Sequence, residues 1–198
     1  MNIVLASSSP SRLSILRSAG VEPLVCPADV DEDALLDSLV GRSPADKVAA
    51  LAQAKAEAIA GDYPDDVVIG GDSMLLLDGA LQGKPHTVDK TIERWKQQRG
   101  KTAELITGHC VITPRGRHVE TSTTTVTFAH ADDADIEAYA RTGEPLQCAG
   151  AFTLEAIGGW FIDSITGDPS SVIGLSLPVV RRALYAAGYN VSEFWNNN

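Results

Sequence analysis

The stretch IVLASSSPSR at residues 3–12 decides how the rest of the sequence is interpreted. Its first four residues are apolar and predict a short buried strand over residues 3–6. Ser9 is a favoured N-cap residue and Pro10 suits the first turn of a helix, so we expect a helix over residues 10–19. A strand that leads directly into a helix is typical of α/β folds.

Apolar strands and amphipathic helices alternate along the remaining sequence without a repeated period. The interruptions between them include GGDS at residues 70–73 and the turn sequence PRGR at residues 114–117, while the acidic segment at residues 29–37 has the pattern of a solvated helix face. We expect the tail at residues 196–198 to fray. The pattern predicts a single α/β domain over residues 1–198, with a mixed β-sheet flanked by helices. The predicted strands cover residues 24–26, 67–69, 74–77, 103–113, 118–129 and 160–165, and the predicted helices cover residues 44–60, 88–98, 133–142 and 170–187.

The composition is that of an ordinary globular protein, and the charge excludes two classes of partner. The 198 residues are 44% hydrophobic and 21% charged, and at about 150 residues per domain this length suits one domain or two lobes. Sixteen basic and twenty-six acidic residues leave a net charge of −10. General nucleic-acid binders and membrane-surface binders attract phosphate with a broad basic field, so this balance argues against both.

The cysteines and the apolar runs indicate the compartment. Cys26, Cys110 and Cys148 are widely spaced, odd in number and without a CxxC pair, so neither a disulfide framework nor a cysteine zinc site is indicated. We interpret them as small buried hydrophobic residues in a reducing compartment. The amino end lacks the pattern of a signal peptide, and no run of about 18 apolar residues could cross a membrane. We therefore expect a cytoplasmic protein without a membrane partner.

Polar residues interrupt apolar strands at three places, and in open α/β sheets such strand ends border the ligand site. The first place is the serine-rich turn that contains Ser7, Ser9 and Arg12. Free N–H groups at the start of the helix, the hydroxyls and the guanidinium could together hold a phosphate. The alternative is a serine-rich helix cap beside a solvated arginine.

The second place is the sequence GGDS. The carboxylate of Asp72, with apolar residues on both sides, could bind a divalent cation or deprotonate water; the alternative is an aspartate in a turn. Ser73 could also be the nucleophile of a serine hydrolase, but such enzymes place a histidine base late in the chain, in an Asp-x-x-His arrangement. The last histidine, His130, has no aspartate three residues before it, which argues against this class.

Two lysines complete the set of candidate phosphate ligands. The third place is the sequence GKP at residues 83–85, a rigid turn that presents the ammonium of Lys84. It is not a P-loop, because Pro85 stands where a P-loop requires serine or threonine. Lys55 falls on the apolar stripe of the helix predicted over residues 44–60. Such a lysine usually snorkels at the edge of a core, and a functional role is the alternative.

Seven separated segments resemble, in order, the signatures of the Maf family of nucleoside triphosphate pyrophosphatases. Together they extend from about residue 3 to residue 184, which makes the match far more specific than any one segment. The segments are ASSSPSRLSIL at residues 6–16, VDE at residues 30–32, AQAKA at residues 52–56, GGDSMLLLDG at residues 70–79, GKPHT at residues 83–87, GEPLQCAGAF at residues 143–152 and GDPSSVIGLSLP at residues 167–178.

The resemblance implies a fold like that of inosine triphosphate pyrophosphatases, with two lobes, a central cleft and commonly a homodimer. It also implies cleavage of a nucleoside triphosphate to the monophosphate and pyrophosphate with a divalent metal, Mg²⁺ or Mn²⁺. Asp72 falls on the proton acceptor and Glu32 on a metal-associated carboxylate, and the metal can bridge both. The other matches are Ser7, Ser9 and Arg12, which grip phosphate, and Lys55 and Lys84, of which Lys84 also balances the developing charge.

In the family that this sequence resembles, three positions distinguish members with different nucleotide substrates. In this sequence they are Ser11, Ser73 and Glu155. Members that resemble the dTTP- and UTP-cleaving branch carry Arg, Thr and Gln there, whereas members that resemble the 7-methyl-GTP-cleaving branch carry a carboxylate at the third position. A carboxylate accepts hydrogen bonds from the N1–H and N2–H₂ groups of guanine. We therefore expect a 7-methyl-GTP-like preference, with dTTP or UTP as the alternative. Ser11 and Ser73 match neither branch, and Glu155 could also be a solvated loop residue.

A nucleotide-binding regulator of cell division is the rival from another class, because the family name reflects an effect on septum formation. The candidate base Asp72 and the cations that would bind phosphate are all present, which favours an enzyme. We predict a hydrolase whose partner is a nucleoside triphosphate and not a nucleic-acid polymer. The family often has proline where Ser176 stands, and we interpret that change as structural.

Overall fold

The chain folds into two compact units, each assembled from segments that are distant in the sequence. The structure is a computed structural model that describes residues 1–196, so the expected fraying of residues 197 and 198 lies outside the described part. Unit 1 comprises Met1–Asp72, Thr107–Ser122 and Gly174–Asn198, and unit 2 comprises Ser73–Ile106 and Thr123–Ile173.

Within residues 1–196, seven strands and seven α-helices account for the regular structure, with a few 3-10 turns between them. None of the helices in this described part combines the length and the apolar composition that a membrane span requires. The strands are β1 (Ile3–Leu5), β2 (Leu24–Val25), β3 (Val67–Leu77), β4 (Ala80–Gln82), β5 (Thr102–Thr113), β6 (Gly116–Phe128) and β7 (Ile162–Thr166). The helices are α1 (Pro10–Ser18), α2 (Glu32–Ser38), α3 (Pro44–Ala60), α4 (Val88–Gln98), α5 (Asp133–Arg141), α6 (Pro169–Ile173) and α7 (Leu177–Ala186).

The strands form a mixed sheet in the order β2-β1-β3-β5-β6-β7, with β4 paired to β3. Strand β1 runs parallel to β2 and to β3, so that Val4 lies beside Leu24 on one side and Val68 on the other. Strand β4 is antiparallel to β3, and β7 is antiparallel to β6. The predicted fold class, a mixed β-sheet with flanking helices, is confirmed.

The helix starts follow from the side chains that the sequence places before them. Ser9 caps α1 by accepting a hydrogen bond from the backbone N–H of Arg12, and Ser43 and Thr87 cap α3 and α4 in the same way. A capping hydroxyl satisfies one of the four N–H groups that the first turn of a helix leaves unpaired. The predicted starts of these three helices are confirmed.

Helix α3 lies very close to the strands of unit 1, because two glycines leave room for its backbone. A Cβ atom at Gly70 would lie 2.2 Å from the carbonyl oxygen of Ala52, and one at Gly108 would lie 2.5 Å from that of Val48. No side chain fits at either distance, so only glycine permits this approach. The buried face of the helix consists of Val48, Leu51, Ala52, Ala56 and Ile59.

The core of unit 2 is built around Trp95 of α4, which is fully buried. Its ring meets those of Phe128, Tyr139 and Phe161 edge-on, with ring centroids 5.5, 5.8 and 5.6 Å away. Aromatic quadrupoles favour this geometry over face-to-face stacking. The indole N–H donates to the carbonyl of Ala151 at 2.7 Å, which fixes the orientation of the Trp95 ring.

Strand β3 runs without a break through GGDS, so the predicted interruption at residues 70–73 is wrong. Adjacent glycines normally indicate a turn. Here Gly70 is required by the close approach of α3, and Gly71 lies so near Arg12 that an added Cβ would be 3.3 Å from its Nε. Asp72 is consequently a buried strand residue and not an aspartate in a turn.

The last predicted helix, over residues 170–187, is in fact two helices, α6 and α7. Gly174 separates them with a φ of +132°, a conformation that favours glycine. The hydroxyl of Ser176 then caps α7 by accepting a hydrogen bond from the N–H of Val179 at 3.2 Å. Pro178 lies in the first turn, where its missing N–H costs no helical hydrogen bond. The structural interpretation of Ser176 is confirmed.

Smaller differences concern the ends of segments. The turn between β5 and β6 has two residues instead of the predicted four, because β6 already begins at Gly116. Strand β7 begins two residues later than predicted, because Ile157–Phe161 form a 3-10 turn. Asn196 does not fray: its N–H donates to the carbonyl of Gly20 at 2.6 Å, and its side-chain oxygen accepts from the N–H of Glu22 at 3.1 Å.

Candidate active site

The turn between β1 and α1 gathers Ser7, Ser9 and Arg12 in unit 1, as the sequence predicts. The guanidinium of Arg12 donates to the hydroxyl of Ser7 at 3.0 Å, and the backbone N–H of Ser9 donates to the same hydroxyl at 3.2 Å. Ser9 is also the N-cap of α1. Because the N-terminal end of a helix attracts anions, the turn combines hydroxyls, a cation and a favourable helix end at one place.

Arg12 is almost fully buried, with 8% of its surface exposed. Its Nε donates to the carbonyl oxygen of Gly174 at 2.7 Å, which fixes the plane of the guanidinium. Burial lowers the pKa of Arg12, and the carboxylates of Asp72 and Glu32 partly offset this by raising it. An arginine remains protonated in proteins, so the turn keeps its positive charge. The alternative of a solvated arginine is wrong.

Lys55 is a second cation of unit 1, and little of its side chain is exposed. Its ammonium lies 2.7 Å from Oδ1 of Asp72 and 2.8 Å from Oε1 of Glu32. The side chains of Lys55 and Asp72 are 12% and 11% exposed, whereas that of Glu32 is 48% exposed. Because α3 lies so close to the strand at Gly70, a lysine on its inner face reaches the carboxylate two residues further along β3. Lys55 is therefore held in ion pairs and does not snorkel into solvent.

Glu32 reaches Lys55 from the start of helix α2. The side chain of Asp31 caps this helix by accepting a hydrogen bond from the N–H of Ala34 at 3.0 Å, which makes Glu32 the first helical residue. No residue of α2 is buried, so the predicted solvated helix face is confirmed. The helix thus delivers one carboxylate to the site from an otherwise solvated surface.

The carboxylates of Glu32 and Asp72 are the oxygen donors that this cluster offers to a divalent cation. Within residues 1–196, no three side chains of His, Cys, Asp or Glu are grouped so that they could bind a metal ion by themselves. Mg²⁺ usually binds to one or two carboxylates and completes its coordination with waters and substrate phosphates. The pair fits that kind of site, and Lys55 keeps the two carboxylates together.

Unit 2 carries Lys84 on the segment between β4 and α4. The lysine is exposed, but the backbone beside it is fixed. The carbonyl of Gly83 accepts hydrogen bonds from the guanidinium of Arg94 and from the N–H of Gly150 at 3.3 Å. The segment therefore presents an exposed ammonium from a rigid backbone, as the sequence predicts.

Lys84 and Glu155 both act on the thiol of Cys148. Burial raises the pKa of Cys148 to about 11, the negative charges of Glu155 and Glu144 also raise it, and the positive charge of Lys84 opposes them. The thiol therefore stays protonated at neutral pH.

The three predicted specificity positions are accessible to different degrees. Glu155 is exposed, and its carboxylate accepts a hydrogen bond from the N–H of Leu154 at 3.1 Å. Ser11 in α1 and Ser73 in β3 are half-buried. The predicted site residues therefore divide between the units: Ser7, Ser9, Ser11, Arg12, Glu32, Lys55 and Asp72 belong to unit 1, and Ser73, Lys84 and Glu155 belong to unit 2.

The cysteines do not share one environment. Burial raises the pKa of Cys110, which is fully buried, to about 12. Cys26 and Cys148 are half-buried, and all three thiols are free. The prediction of small buried hydrophobic residues is confirmed for Cys110 alone.

Sequence reasoning missed two residues that hold the site of unit 1 together, Gly174 and His109. The carbonyl of Gly174 binds the buried guanidinium. His109 is fully buried; its Nε2 accepts a hydrogen bond from the N–H of Ser176 at 2.8 Å, and its Nδ1 lies 3.3 Å from the carbonyl oxygen of Glu120. This arrangement requires a neutral ring with the proton on Nδ1. Gly174 and Pro178 together carry the signal for a helix break, whereas the sequence around His109 carries no such signal.

Known proteins match this chain along almost its whole length. The family model described as "Maf-like protein" matches residues 2–187. A relative from Corynebacterium aurimucosum named nucleoside triphosphate pyrophosphatase is 73% identical over 195 residues, which are 98% of each chain. A protein of the same name from Nocardia farcinica is 52% identical over 98% of this chain and 97% of that one. Among solved structures, the Staphylococcus aureus Ham1 protein matches 66% of this chain and 73% of that chain, with 18% identity and a TM-score of 0.43. The family model and the two relatives show that the chain belongs to the Maf-like protein family.

Proposed function

We propose that this enzyme, a nucleoside triphosphate pyrophosphatase and so a hydrolase, cleaves its substrate between the α- and β-phosphates and prefers a 7-methyl-GTP-like base. The observation that supports the reaction is the cluster of unit 1, where Lys55 joins two carboxylates beside the buried guanidinium of Arg12. Such a set of charges suits a polyanion together with a divalent cation, which phosphoryl transfer requires.

In the proposal, the start of α1 and two lysines bind the phosphates. The hydroxyls of Ser7 and Ser9 and the guanidinium of Arg12 are already held in place, so they bind an anion with little rearrangement. Lys55 has three N–H donors and can keep a carboxylate while it binds a phosphate oxygen. Arg12 and Lys84 balance the negative charge that develops on the phosphate oxygens as the bond breaks.

Glu32 and Asp72 would hold the divalent cation, Mg²⁺ or Mn²⁺, together with phosphate oxygens. A bound cation of this kind neutralises phosphate charge and polarises the bond that breaks. The chain itself contributes the placement of the two carboxylates, which α2 and β3 bring to 2.8 Å and 2.7 Å from the Lys55 ammonium.

Asp72 is the proposed general base. It is buried and bound to Lys55, so its carboxylate has a defined position when water approaches. The water oxygen bonds to one of the two phosphorus atoms of the scissile bridge, the bond from that phosphorus to the bridging oxygen breaks, and the water proton passes to Asp72. The products are the nucleoside monophosphate and pyrophosphate, and Asp72 then returns the proton to solvent.

The proposed base preference rests on Glu155. An exposed carboxylate that accepts from a neighbouring N–H can turn to accept hydrogen bonds from N1–H and N2–H₂ of guanine, and methylation at N7 adds an attractive positive charge. Thymine and uracil present one N–H between two carbonyls, which an anion repels. A site that leaves such polar groups unpaired discriminates by about 10⁴-fold.

Pyrophosphate release from a panel of nucleotides with Mg²⁺ or Mn²⁺ tests both parts of the proposal. The panel is 7-methyl-GTP, GTP, ATP, dTTP and UTP, and we expect equal amounts of monophosphate and pyrophosphate, with the highest kcat/KM for 7-methyl-GTP. Release of orthophosphate without pyrophosphate would refute the proposed bond cleavage. If 7-methyl-GTP turns over no faster than UTP or dTTP, and Glu155→Gln leaves their ratio unchanged, the preference is wrong and the pyrimidine alternative is favoured.

A calorimetric titration beside this assay addresses the regulatory alternative. A protein that only binds nucleotide, as a regulator of septum formation could, would show heat of binding without pyrophosphate release. We expect both signals from the wild-type protein.

The proposal extends to organisation and compartment. We propose that residues 1–198 act as one catalytic domain, because the family match spans residues 2–187 and the chain passes between the units four times. Three free thiols suit the reducing cytoplasm.

Strand β2, at the end of the strand order, exposes Leu24 and Val25, and such an edge can pair with a second copy in a homodimer. Sedimentation as a monomer at all concentrations would contradict the homodimer.

A further inference from the structure

The carboxylate of Glu144 in unit 2 accepts four hydrogen bonds, although the proposed reaction does not use it. Its Oε1 accepts from the hydroxyls of Tyr139, at 3.1 Å, and Thr153, and from the N–H of Gly158 at 3.0 Å. Its Oε2 accepts from the N–H of Ile157 at 3.2 Å. One side chain therefore joins helix α5 to two points further along the chain.

These two points are the ends of a short loop, residues 153–158, which contains Glu155 and is called the Glu155 loop here. The N–H of Gly158 also donates to the hydroxyl of Thr153 at 3.2 Å, so the two ends bind each other. A Cβ atom at Gly158 would lie 2.5 Å from both the carbonyl oxygen of Thr153 and the hydroxyl of Tyr139. The ends are thus closely packed, while Glu155 between them is exposed.

Tyr139 ties this arrangement to the core of unit 2. Its ring lies 5.8 Å from that of Trp95 and 5.5 Å from that of Phe161, measured between centroids. Its hydroxyl donates to Glu144 and accepts from the N–H of Thr153 at 3.2 Å. Burial raises the pKa of Tyr139, so the hydroxyl remains a donor. Because the ring is fixed by its aromatic neighbours, the hydroxyl holds the carboxylate and the loop at a constant position.

The charge of Glu144 is balanced by these hydrogen bonds. Burial raises the pKa of Glu144, but the hydrogen bonds from Thr153, Gly158, Ile157 and Tyr139 lower it by more, and the net shift is downward. The group is therefore ionised at neutral pH, and hydrogen bonds to an ionised acceptor are stronger than those between neutral groups. A glutamine in its place would lose this strength and would have only one acceptor oxygen.

We infer that Glu144 is a positioning residue for nucleotide selection, which holds the Glu155 loop in the conformation that presents Glu155 to the base. The inference rests on the proposed role of Glu155. Glu144 acts through the two ends of the loop and does not itself contact the substrate. A selective contact needs support of this kind, because a side chain that is displaced by about 1 Å loses much of its effect on the reaction.

The test compares variants that weaken the support with variants that keep it. Glu144→Gln removes the charge, Thr153→Val removes one donor, and Thr153→Ser keeps the hydroxyl. Glu137→Gln, at an exposed position of the preceding helix α5, is the control for the loss of a negative charge. The measurements are kcat and KM, separately for 7-methyl-GTP and UTP, and hydrogen exchange at the N–H groups of Ile157 and Gly158.

We expect Glu144→Gln to lower kcat/KM for the preferred nucleotide by about 10- to 100-fold and to move the ratio between the two nucleotides toward that of Glu155→Gln. Thr153→Val should change both quantities in the same direction. Exchange at the two N–H groups should become faster in both variants. Thr153→Ser and Glu137→Gln should keep the wild-type ratio and exchange. A role in stability alone would reduce turnover of both nucleotides equally.

Two results would separate this inference from the proposed function. If Glu155→Gln changes the nucleotide ratio but Glu144→Gln changes neither the ratio nor the exchange, the positioning role is overturned and the proposed function stands. If Glu155→Gln itself leaves the ratio unchanged, the base-reading role is refuted, and with it the part of Glu144 in selection.

Discussion

The two units hold a carboxylate in different ways. In unit 1, Asp72 is bound to the ammonium of Lys55 at 2.7 Å. In unit 2, Glu144 is bound by hydroxyls and backbone N–H groups that carry no charge. A lysine side chain is flexible and can turn toward a phosphate, whereas a backbone N–H can leave its partner only when its loop changes conformation. The charged pair therefore suits a site whose partners change during a reaction, and the neutral set suits a permanent support.

Asp72→Asn tests the carboxylate of unit 1, which is held by an ion pair, and has the largest expected effect on activity. Asparagine keeps the shape and an oxygen that accepts from Lys55, but it cannot take a proton. Loss of a well-placed general base typically lowers the rate by about 10²–10⁴-fold, and we expect that loss in kcat. The unfolding temperature should stay close to that of the wild type, because Lys55 keeps its ion pair with Glu32. Asp65→Asn, an exposed position before β3, is the control. Turnover within a few-fold of the wild type would mean that another group accepts the proton.

Lys55→Met tests whether the charges in unit 1 depend on each other. The substitution leaves Asp72 buried without its cation, and removal of one partner from a buried ion pair costs about 3–5 kcal/mol. We expect the lower end of this range, because Glu32 is half exposed and can regain water. Denaturant unfolding measures the loss, with Lys47→Met on the same helix as the control. The double variant Lys55→Met/Asp72→Asn should recover part of the stability, and equal losses in Lys55→Met and Lys47→Met would contradict the prediction.

His109→Leu sharpens the comparison, because the imidazole of His109 is an uncharged hydrogen-bond partner within unit 1, where Asp72 is held by an ion pair. The buried N–H of Ser176 loses its acceptor, and an unpaired buried group costs about 1–3 kcal/mol. We expect the free energy of unfolding to fall by this amount and kcat/KM to fall as well, since the carbonyl of Gly174 that binds Arg12 lies on the same segment. His130→Leu, at an exposed position, should change neither. Unfolding and turnover like those of the wild type would show that the segment keeps its place without the imidazole.

The smallest expected effect is the pH dependence of the neutral support. The pKa of Glu144 is lowered in the folded state, so its contribution to stability is complete above the ordinary pKa of a glutamate, about 4.3, and is lost as the pH falls through the lowered value. The difference in unfolding temperature between the wild type and Glu144→Gln should therefore shrink as the pH is lowered from 7 to 3. Glu137→Gln should show no such trend, and a constant difference for Glu144→Gln would refute the prediction.

Local sequence signals predicted much of the fold. Ser43 and Pro44, followed by apolar residues at helical spacing, predicted the start of α3 and its end at Ala60, and the structure has the same bounds. The failures occurred where a distant backbone decides the conformation. Gly70 reads as a turn residue, but it lies in a strand because α3 passes over it. The break at Gly174 was missed because the apolar spacing of the two helices runs across it.

In the candidate site, too, local sequence signals indicated some residues, while contacts between distant parts of the chain decided the others. Arg12, Lys55 and Asp72 stand out in the sequence because charged residues on apolar elements are conspicuous, and in unit 1 Lys55 and Asp72 form an ion pair. The partners that hold them were not found, since Arg12 and Gly174 are 162 residues apart and His109 and Ser176 are 67 apart. Glu144 was missed for a related reason.

Glu144 lies at the start of a glycine-rich stretch that resembles an ordinary loop. Its partners Thr153 and Gly158 gain their meaning only from the way the loop closes on itself. Residue types alone do not reveal that closure, because a threonine and a glycine at this spacing are common in loops of many kinds.

The ion pairs of Lys55 have a consequence for the speed at which nucleotide arrives. Arg12 and Lys55 carry two positive charges, and Glu32 and Asp72 carry two negative ones, so the cluster cancels its own charge, while the chain as a whole carries −10. A polyanionic substrate therefore approaches against a repulsive long-range field. Dissolved salt screens that field beyond about 8 Å at physiological ionic strength. Encounter should accordingly become faster as salt is added at constant divalent ion, the reverse of the behaviour of proteins that draw nucleotides in with a basic surface.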